Sequence, residues 1–232
     1  MVAEPRVRRR DLAGRHQYRI IPSRIPPIEL FETLVAPEEL EIAYAIESLT
    51  NDRLRAAAGD LYRVPKDDWL TGPNASVVMA AFTHIGRPSR FTDGSYGVYY
   101  AALDEDTAVA ETVFHAERFL RETAEPPLEL ERRCYVGKVA EPLDDLRGPR
   151  FAHLRDPDLA TYARSQAFAA TRREAGAWGL HYPSVRHAGG ECIAAFRTRA
   201  VSLPVQGKHF RYRWNGERID RVLTVSAVRD LR

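Results

Sequence analysis

Lysine is nearly absent from this chain. Only Lys66, Lys138 and Lys208 occur among its 34 basic residues, so arginine carries almost all of the positive charge. A genome's base composition is the simplest cause of this bias. Arginine nevertheless binds phosphate better than lysine does, because its planar fork donates two parallel hydrogen bonds. The formal net charge of only +2 gives no general reason to expect nucleic-acid binding.

Cysteine and long apolar runs are also scarce. Cys134 and Cys192 each lie among β-forming residues, which favours two buried, reduced thiols over a disulfide. Their spacing fits no zinc site. No stretch approaches the ~20 apolar residues of a membrane span, and no apolar run follows the N-terminal arginines as a secretory signal would require. We therefore expect a cytoplasmic globular protein.

Common catalytic signatures are missing as well. The chain contains no Gly-x-Gly-x-x-Gly and no Walker loop, which removes the usual nucleotide-binding motifs. It has no Gly-x-Ser-x-Gly elbow, so a hydrolase nucleophile is not evident. His181, His187 and Glu191 are the nearest approach to a metal site, but their spacing matches no standard set of ligands. We expect no metal.

The first 60 residues are predicted to form an N-terminal arm and a helix packed on the core. Residues 1 to about 36 contain an arginine cluster followed by three prolines, which break regular structure. This arm either binds nucleic acid or a partner, or packs on the core through its isoleucines. Pro37 should begin a helix that ends at Gly59. Residues 61–232 are predicted to form the catalytic domain.

The pattern of residues 61–232 predicts a mixed α/β (α+β) fold with several antiparallel strand pairs and no regular βαβ series. A helix capped by Asp104 or Asp106 should run to about Glu122. Asn215-Gly216 should turn a hairpin near the C-terminus. Further elements are predicted as strands at 61–64, 96–102, 134–139, 180–182, 192–197 and 221–228, a helix from 156 to 176, and a strand or helix at 77–82.

Three polar segments stand out within this domain. The first is the loop Gly86-Arg87-Pro88-Ser89-Arg90-Phe91-Thr92. The second is a strand ending in Tyr100-Ala101-Ala102, followed by a helix that carries Glu111. The third is Tyr182-Pro183-Ser184-Val185-Arg186, followed by a Gly-Gly pair at 189–190. In the helix, Val109, Val113, Ala116 and Leu120 form the buried stripe, and Glu111, His115 and Arg118 share a different, polar face.

This order of segments resembles the RES domain, which is named for its Arg, Glu and Ser. The resemblance covers roughly Leu61 to Val201. It implies a fold similar to that of ADP-ribosyltransferases, with largely antiparallel sheets and flanking helices. RES proteins are toxins of bacterial toxin–antitoxin pairs, and their known chemistry is attack on NAD.

The resemblance assigns five residues to the site. Arg63 in Leu-Tyr-Arg-Val matches the family's early arginine, Arg90 the arginine of its Gly-Arg-Trp-Asn segment, and Tyr100 the tyrosine that ends the next strand. Glu111 matches the helix glutamate and Ser184 the serine of Tyr-Pro-Ser. Because the segment around Arg90 is Ser-Arg-Phe-Thr here, Arg87, which follows Gly86, is a rival for the role of Arg90.

Known chemistry gives each residue an expected role. Glu111 can stabilise the oxocarbenium-like ribose that forms when the nicotinamide–ribose bond breaks. Arg63 and Arg90 can neutralise the pyrophosphate. Tyr100 can stack on the nicotinamide, and the Ser184 hydroxyl can contact ribose or phosphate. The catalytic residues are thus expected to be Arg90, Glu111 and Ser184, with Arg63, Arg90, Tyr100 and Ser184 binding NAD as the substrate.

The expected function is that of a toxin that transfers ADP-ribose from NAD to a cellular protein. Water and phosphate are the alternative acceptors. A non-catalytic regulator that binds a nucleotide or nucleic acid is the alternative of another class. The resemblance implies a cognate Xre-like antitoxin that occludes the active site and supplies DNA binding. Because the motifs begin near Arg63, residues 1–19 are expected to be dispensable for NAD cleavage.

Overall fold

A single nine-stranded sheet organises the molecule. The computed structural model describes residues 7–25, 31–32, 37–50 and 59–226. The strands, in chain order, are β1 (Arg9–Arg10), β2 (His16–Pro22), β3 (Tyr99–Ala102), β4 (Leu128–Lys138), β5 (Leu143–Asp145), β6 (Gly179–Pro183), β7 (Glu191–Ala195), β8 (Val205–Trp214) and β9 (Ile219–Val225). They lie in the order β1-β5-β6-β7-β3-β2-β4-β8-β9. Every pair is antiparallel except β5 and β6.

Helices flank both faces of this sheet. They are α1 (Pro37–Thr50), α2 (Ala75–Thr83), α3 (Glu105–Glu122) and α4 (Tyr162–Glu174), and short 3-10 turns connect several elements. The prediction of a mixed α/β fold with a largely antiparallel sheet is therefore confirmed. No helix within the described parts of the chain is long and apolar enough to cross a membrane.

The alternation of side chains along β3 divides the core into two layers. Tyr99 and Ala101 pack on one face with Met79 of α2. Ala102 and Tyr100 contribute to the other face, against α3 and the buried Cys192. Successive strand residues point to opposite faces, so this short strand serves both layers at once. The two cysteines are buried and free, as predicted.

The predicted N-terminal arm is wrong for residues 9–22. β2 lies inside the sheet and pairs with β4 over its whole length, from His16 opposite Lys138 to Pro22 opposite Arg132. Within this strand Gln17 is completely buried and Ile20 is only 8% exposed. Pro22 ends this strand rather than excluding it, because proline is tolerated at a strand's end. Residues 26–30, which include the next two prolines, lie outside the described residues.

Local predictions have mixed outcomes in the rest of the chain. Asp104, not Asp106, caps α3: its carboxylate accepts a hydrogen bond of 2.7 Å from the Thr107 N–H. Residues 61–63 form a 3-10 turn and not a strand. Residues 77–82, predicted as strand or helix, lie in the helix α2. The C-terminal hairpin forms with its turn at Asn215-Gly216. Residues 227–228 of the predicted second strand lie outside the described range.

The predicted 156–176 helix begins later than expected. Asp158 caps the 3-10 turn Leu159–Thr161, and α4 follows from Tyr162. Gly176 lies just beyond the end of α4 with φ at +76°, a conformation that favours glycine and ends the helix. The predicted end of α1 at Gly59 lies beyond residues 51–58, which the structure does not describe.

Candidate active site

A cleft opens where β2 separates from β3. The two strands share only the pair Tyr18 and Ala102, whereas β2 continues along β4 to Pro22. The resulting cavity has a volume of about 480 Å³ and is covered by α3. Side chains from several separate parts of the chain line it, among them Arg19, Arg90, Tyr100, Glu111, His115 and Arg186.

Glu111 and Ser184 form a fixed pair in this cleft. The Ser184 Oγ lies 2.6 Å from Glu111 Oε1. The same Oγ accepts hydrogen bonds from the N–H groups of Arg186, at 3.1 Å, and His187, at 3.0 Å. Because those donors occupy the lone pairs of the hydroxyl, its single proton is directed to the carboxylate. Ser184 therefore orients Glu111.

Glu111 is the only carboxylate among the described residues that line the cleft. The Cys192 thiol lies 3.8 Å from the same Oε1. Burial, and then the charge of Glu111, raises the pKa of Cys192 far above its usual value. The thiol stays protonated, so it is not a nucleophile at neutral pH.

Arg90 is held almost completely out of solvent. It is 8% exposed, and its guanidinium donates to the Asp156 carbonyl at 2.7 Å and to the Tyr162 hydroxyl at 3.1 Å. No carboxylate of the described residues pairs with it, so it brings an uncompensated positive charge to the cleft. Arg87 is exposed and does not line this cavity. The structure thus places Arg90, and not its rival Arg87, at the site.

Tyr100 anchors the turn that carries Arg90. Its hydroxyl accepts from the Phe91 N–H at 3.0 Å and lies 2.7 Å from the Ser89 Oγ. Burial raises the pKa of this phenol, which remains neutral. The hydroxyl is therefore engaged in positioning the 89–91 turn, while the side chain lines the cleft.

His115 stands at the mouth of the cleft, one turn along α3 from Glu111. Part of its ring is open to solvent, but the atoms crowded around it desolvate it. This desolvation, and then the positive charges of Arg118, Arg186 and Arg90, lowers the pKa of His115 to about 4. His115 is consequently neutral near pH 7. One of its ring nitrogens can donate a hydrogen bond and the other can accept one.

Comparison with known proteins places these residues in a family. A family model described as the RES domain matches residues 60–215. The chain belongs to the RES-domain family. The uncharacterized protein y4oC of Sinorhizobium fredii is similar to it, with 32% identity over 205 residues that cover 87% of this chain and 84% of that protein.

A solved structure gives a more distant match. It is the crystal structure of the M. tuberculosis MbcT–MbcA toxin–antitoxin complex, which is 14% identical with a TM-score of 0.40 and covers 51% of this chain and 70% of that chain. That likeness is too distant to assign residues or activity.

Arg63 does not reach the cleft. It ends the 3-10 turn at 61–63, where its guanidinium lies 2.8 Å from Asp60 and is 52% exposed. Its neighbour Leu61 packs in the core layer on the opposite face of the sheet from Tyr100. Arg63 instead lines a separate cavity of about 220 Å³ with Tyr96 and other residues. The prediction that Arg63 shares a cleft with Arg90 and Glu111 is wrong.

Arg19 of β2 supplies the second arginine in its place. Its Nη1 donates to the Tyr100 carbonyl at 2.8 Å, and its guanidinium lies 4.5 Å from the centre of the Tyr99 ring. Its Nε has no hydrogen-bond partner among the described residues, and burial lowers the pKa of Arg19. The β-type sequence Tyr-Arg-Ile-Ile at 18–21 indicates this strand, but the arginines and prolines around it favour an arm. This strand precedes the stretch matched by the RES model.

The three candidate metal ligands fall into two separate contacts. His187 Nδ1 lies 2.8 Å from Thr107 Oγ1, and His181 Nε2 lies 3.2 Å from Glu191, which also pairs with Arg147. No group of three or more His, Cys, Asp or Glu residues within the described part of the chain could hold a metal ion.

Proposed function

We propose that this RES domain is a toxin that cleaves the nicotinamide–ribose bond of NAD and transfers ADP-ribose to a cellular protein. The observation that carries the proposal is the arrangement of charge in the cleft. A single carboxylate, Glu111, is fixed through one of its oxygens, and it faces Arg19 and Arg90, which have no carboxylate partner among the described residues.

NAD matches this arrangement as a substrate. Its pyrophosphate is a dianion, and guanidinium groups bind such oxygens with two parallel hydrogen bonds. Arg19 lines the cleft and its buried Nε has no hydrogen-bond partner among the described residues, and Arg90 is held by the Leu154 and Asp156 carbonyls. The nicotinamide ring of NAD carries a positive charge. The nicotinamide and its ribose would then lie toward the negatively charged carboxylate of Glu111. We propose no resident cofactor and no metal.

The reaction requires little covalent chemistry from the protein. As the bond from ribose C1′ to nicotinamide breaks, its electron pair leaves with nicotinamide, and positive charge develops on the ribose. A carboxylate oriented before the reaction stabilises that charge. Ser184 holds Glu111 Oε1, which leaves Oε2 to face the ribose or accept from one of its hydroxyls. Tyr100 and Ser89 position Arg90 rather than react.

Other acceptors and another class of function remain as alternatives. Water or phosphate can also accept the ADP-ribose, because the cationic cleft accepts small anions as well as protein groups. A regulator that binds NAD without consuming it is the alternative of another class. The protein acceptor is favoured by a wide groove that continues from the cleft mouth past His115.

One incubation separates these outcomes. The protein is mixed with cell lysate and NAD labelled on the adenylate phosphate, and the label is followed in protein, in free ADP-ribose and in ADP-ribose phosphate. Label in protein supports the proposal. Label only in the small products assigns water or phosphate as acceptor, and intact NAD at the end of the reaction contradicts NAD consumption altogether.

We further propose that a cognate Xre-like antitoxin restrains the toxin in the cytoplasm by occluding the cleft, and that any DNA binding comes from this antitoxin. An unpaired cationic cleft is a natural target for carboxylates or backbone carbonyls of a partner. Excess NAD should then slow association of the antitoxin. An antitoxin that binds without changing NAD affinity would rule occlusion out.

A further inference from the structure

A second groove continues from the cleft between α3 and β4. It has a volume of about 740 Å³ and shares Pro22, Thr112 and His115 with the cleft. Its apolar wall comes from alternate residues of β4 and one face of α3. These residues are Leu128, Leu130, Ala116, Phe119 and Leu120. Phe119 is 51% exposed, so a large apolar side chain lies open at the rim.

The groove carries side chains of both signs. Arg24, Arg87 and Arg132 line it together with Glu125, Glu129 and Glu131. Glu129 and Glu131 contact Arg211, and no carboxylate of the described residues pairs with the three groove arginines. The Nε of Arg132 and the Oγ of Ser23 are buried there without a hydrogen-bond partner among the described residues. Buried donors normally have partners, so these two groups and the surrounding charges call for a ligand that brings acceptors.

The same groove borders a stretch of the β4 edge that no described strand covers, here called the free edge. β4 begins at Leu128, but its partner β2 ends opposite Arg132. The last backbone hydrogen bond between the two segments among the described residues runs from the Ser23 N–H to the Glu131 carbonyl, at 3.0 Å. Backbone groups alternate between the two sides of an antiparallel strand, so Glu129 points its N–H and C=O to this side as well. No described strand lies beside it there.

We propose that this groove binds an extended polypeptide segment of the ADP-ribose acceptor, which adds to the free edge of β4. The segment places apolar side chains against Leu130 and Phe119 and an acidic side chain between Arg24 and Arg132. Addition of a strand to an exposed edge satisfies backbone groups and lets alternate side chains confer specificity. This inference rests on the proposed transferase function, because only a transferase needs a docked protein acceptor.

The acidic side chain also fits the chemistry at the cleft mouth. A carboxylate attacks C1′ of the ribose directly, forms an ester bond and displaces nicotinamide with the electron pair of the broken bond. No proton has to be removed from it. An amine or alcohol would need a base to remove its proton, and Glu111, the one carboxylate among the described residues that line the cleft, is already assigned to the ribose.

The test measures binding of defined peptides by fluorescence anisotropy, without NAD. The probe is a labelled ten-residue peptide of alternating valine and threonine with two glutamates at one end, and its counterpart carries two lysines instead. We expect the glutamate peptide to bind the full chain at least ~10-fold more tightly. Equal binding of both peptides, or no binding of either, overturns the proposal.

Glu129→Pro tests the backbone ladder. Proline removes the N–H that faces the groove and leaves the ladder to β8, which uses the neighbouring residues. The contact of the Glu129 carboxylate with Arg211 is lost equally in the alanine control. Glu129→Pro should lower the affinity for the glutamate peptide about 10-fold. Glu129→Ala, which keeps the N–H, should leave that affinity unchanged. Equal affinities of both variants overturn edge addition. Phe119→Ala, an exposed change, should weaken binding as well, and an unchanged affinity contradicts the apolar contact.

The outcome is separable from the proposed function. Nicotinamide release from NAD is measured on the same variants, and groove variants should retain it because none of these residues belongs to the cleft. If the wild-type protein releases no nicotinamide, the proposed function fails whatever the peptides do. If adenosine monophosphate displaces the peptide, the groove is a nucleotide subsite and the peptide proposal is overturned.

Discussion

Four of the five side chains that the resemblance assigned to the site are brought together by the fold. Arg90, Tyr100, Glu111 and Ser184 were predicted from three segments taken together in order, and no single segment carried the prediction. Their actual contacts could not be read from those stretches. Ser184 donates to Glu111 and Tyr100 holds the loop of Arg90, so both position other groups rather than only contact the substrate.

Ser184→Ala should therefore act through Glu111. Loss of the fixed hydrogen bond should lower kcat for nicotinamide release by about 10-fold, with little change in KM, since removal of the charged group itself commonly costs ~10²–10³. In a double variant with Glu111→Gln, the serine change should add almost nothing, because residues that act as a unit are not additive. Steady-state kinetics on the four proteins measures this. Multiplied effects would show that Ser184 acts independently.

The two early arginines give opposite predictions. Arg19→Lys should weaken NAD binding about 10-fold or more, because a point donor replaces a fork inside the cleft wall. Arg63→Lys is its matched control and should leave the affinity unchanged, since Arg63 lies in another cavity. Calorimetric titration with NAD or ADP-ribose gives both constants. The reverse result would restore the sequence-based assignment.

At the scale of elements, the sequence predicts individual helices and hairpins with a regular pattern, but it does not predict which strands lie next to each other in the sheet. α3 and the C-terminal hairpin follow from their caps, stripes and turn residues. β2 was missed because an arginine cluster precedes it and prolines follow it, while its seven residues pair with β4 more than a hundred positions later. Such non-local pairing depends on tertiary packing, which overrides local propensity.

Deletion of residues 1–19 is accordingly no longer expected to be harmless. It would remove most of β2, together with Arg19, from the middle of the sheet. We expect loss of the cooperative thermal transition seen by circular dichroism and loss of NAD cleavage. Deletion of residues 1–6, which precede β1, is the matched control and should retain both. A folded, active 20–232 fragment would show that β2 is dispensable.

At the scale of the whole molecule, an ion network joins the N-terminal strand β1 to its neighbours β5, β6 and β7 at one end of the sheet. Glu191 contacts Arg10, Arg15 and Arg147. Arg147 donates to Asp145 and holds its pKa at about 2. His181 is completely buried beside these groups, and burial lowers its pKa below the usual value.

This network should make the fold sensitive to acid. A buried neutral His181 favours the folded state only above its unfolded pKa of ~6.5, so stability should fall as the pH drops below that value. The lowered pKa of Asp145 adds a further loss as the pH falls from ~4 toward 2. Urea midpoints between pH 7.5 and 3 measure both. In His181→Gln the slope between pH 7 and 5.5 should become smaller, leaving the part contributed by His115, whose pKa is also lowered, and an unchanged slope would assign it to other groups.

The most direct test of the account is nicotinamide release from NAD by the purified protein and by Glu111→Gln. The control is Glu122→Gln, which removes an exposed carboxylate from the same helix. We predict release by the wild type and by Glu122→Gln, and a rate at least ~100-fold lower for a folded Glu111→Gln protein. Equal rates for all three proteins, or no release by the wild type, would contradict the claim that Glu111 drives NAD cleavage in this cleft.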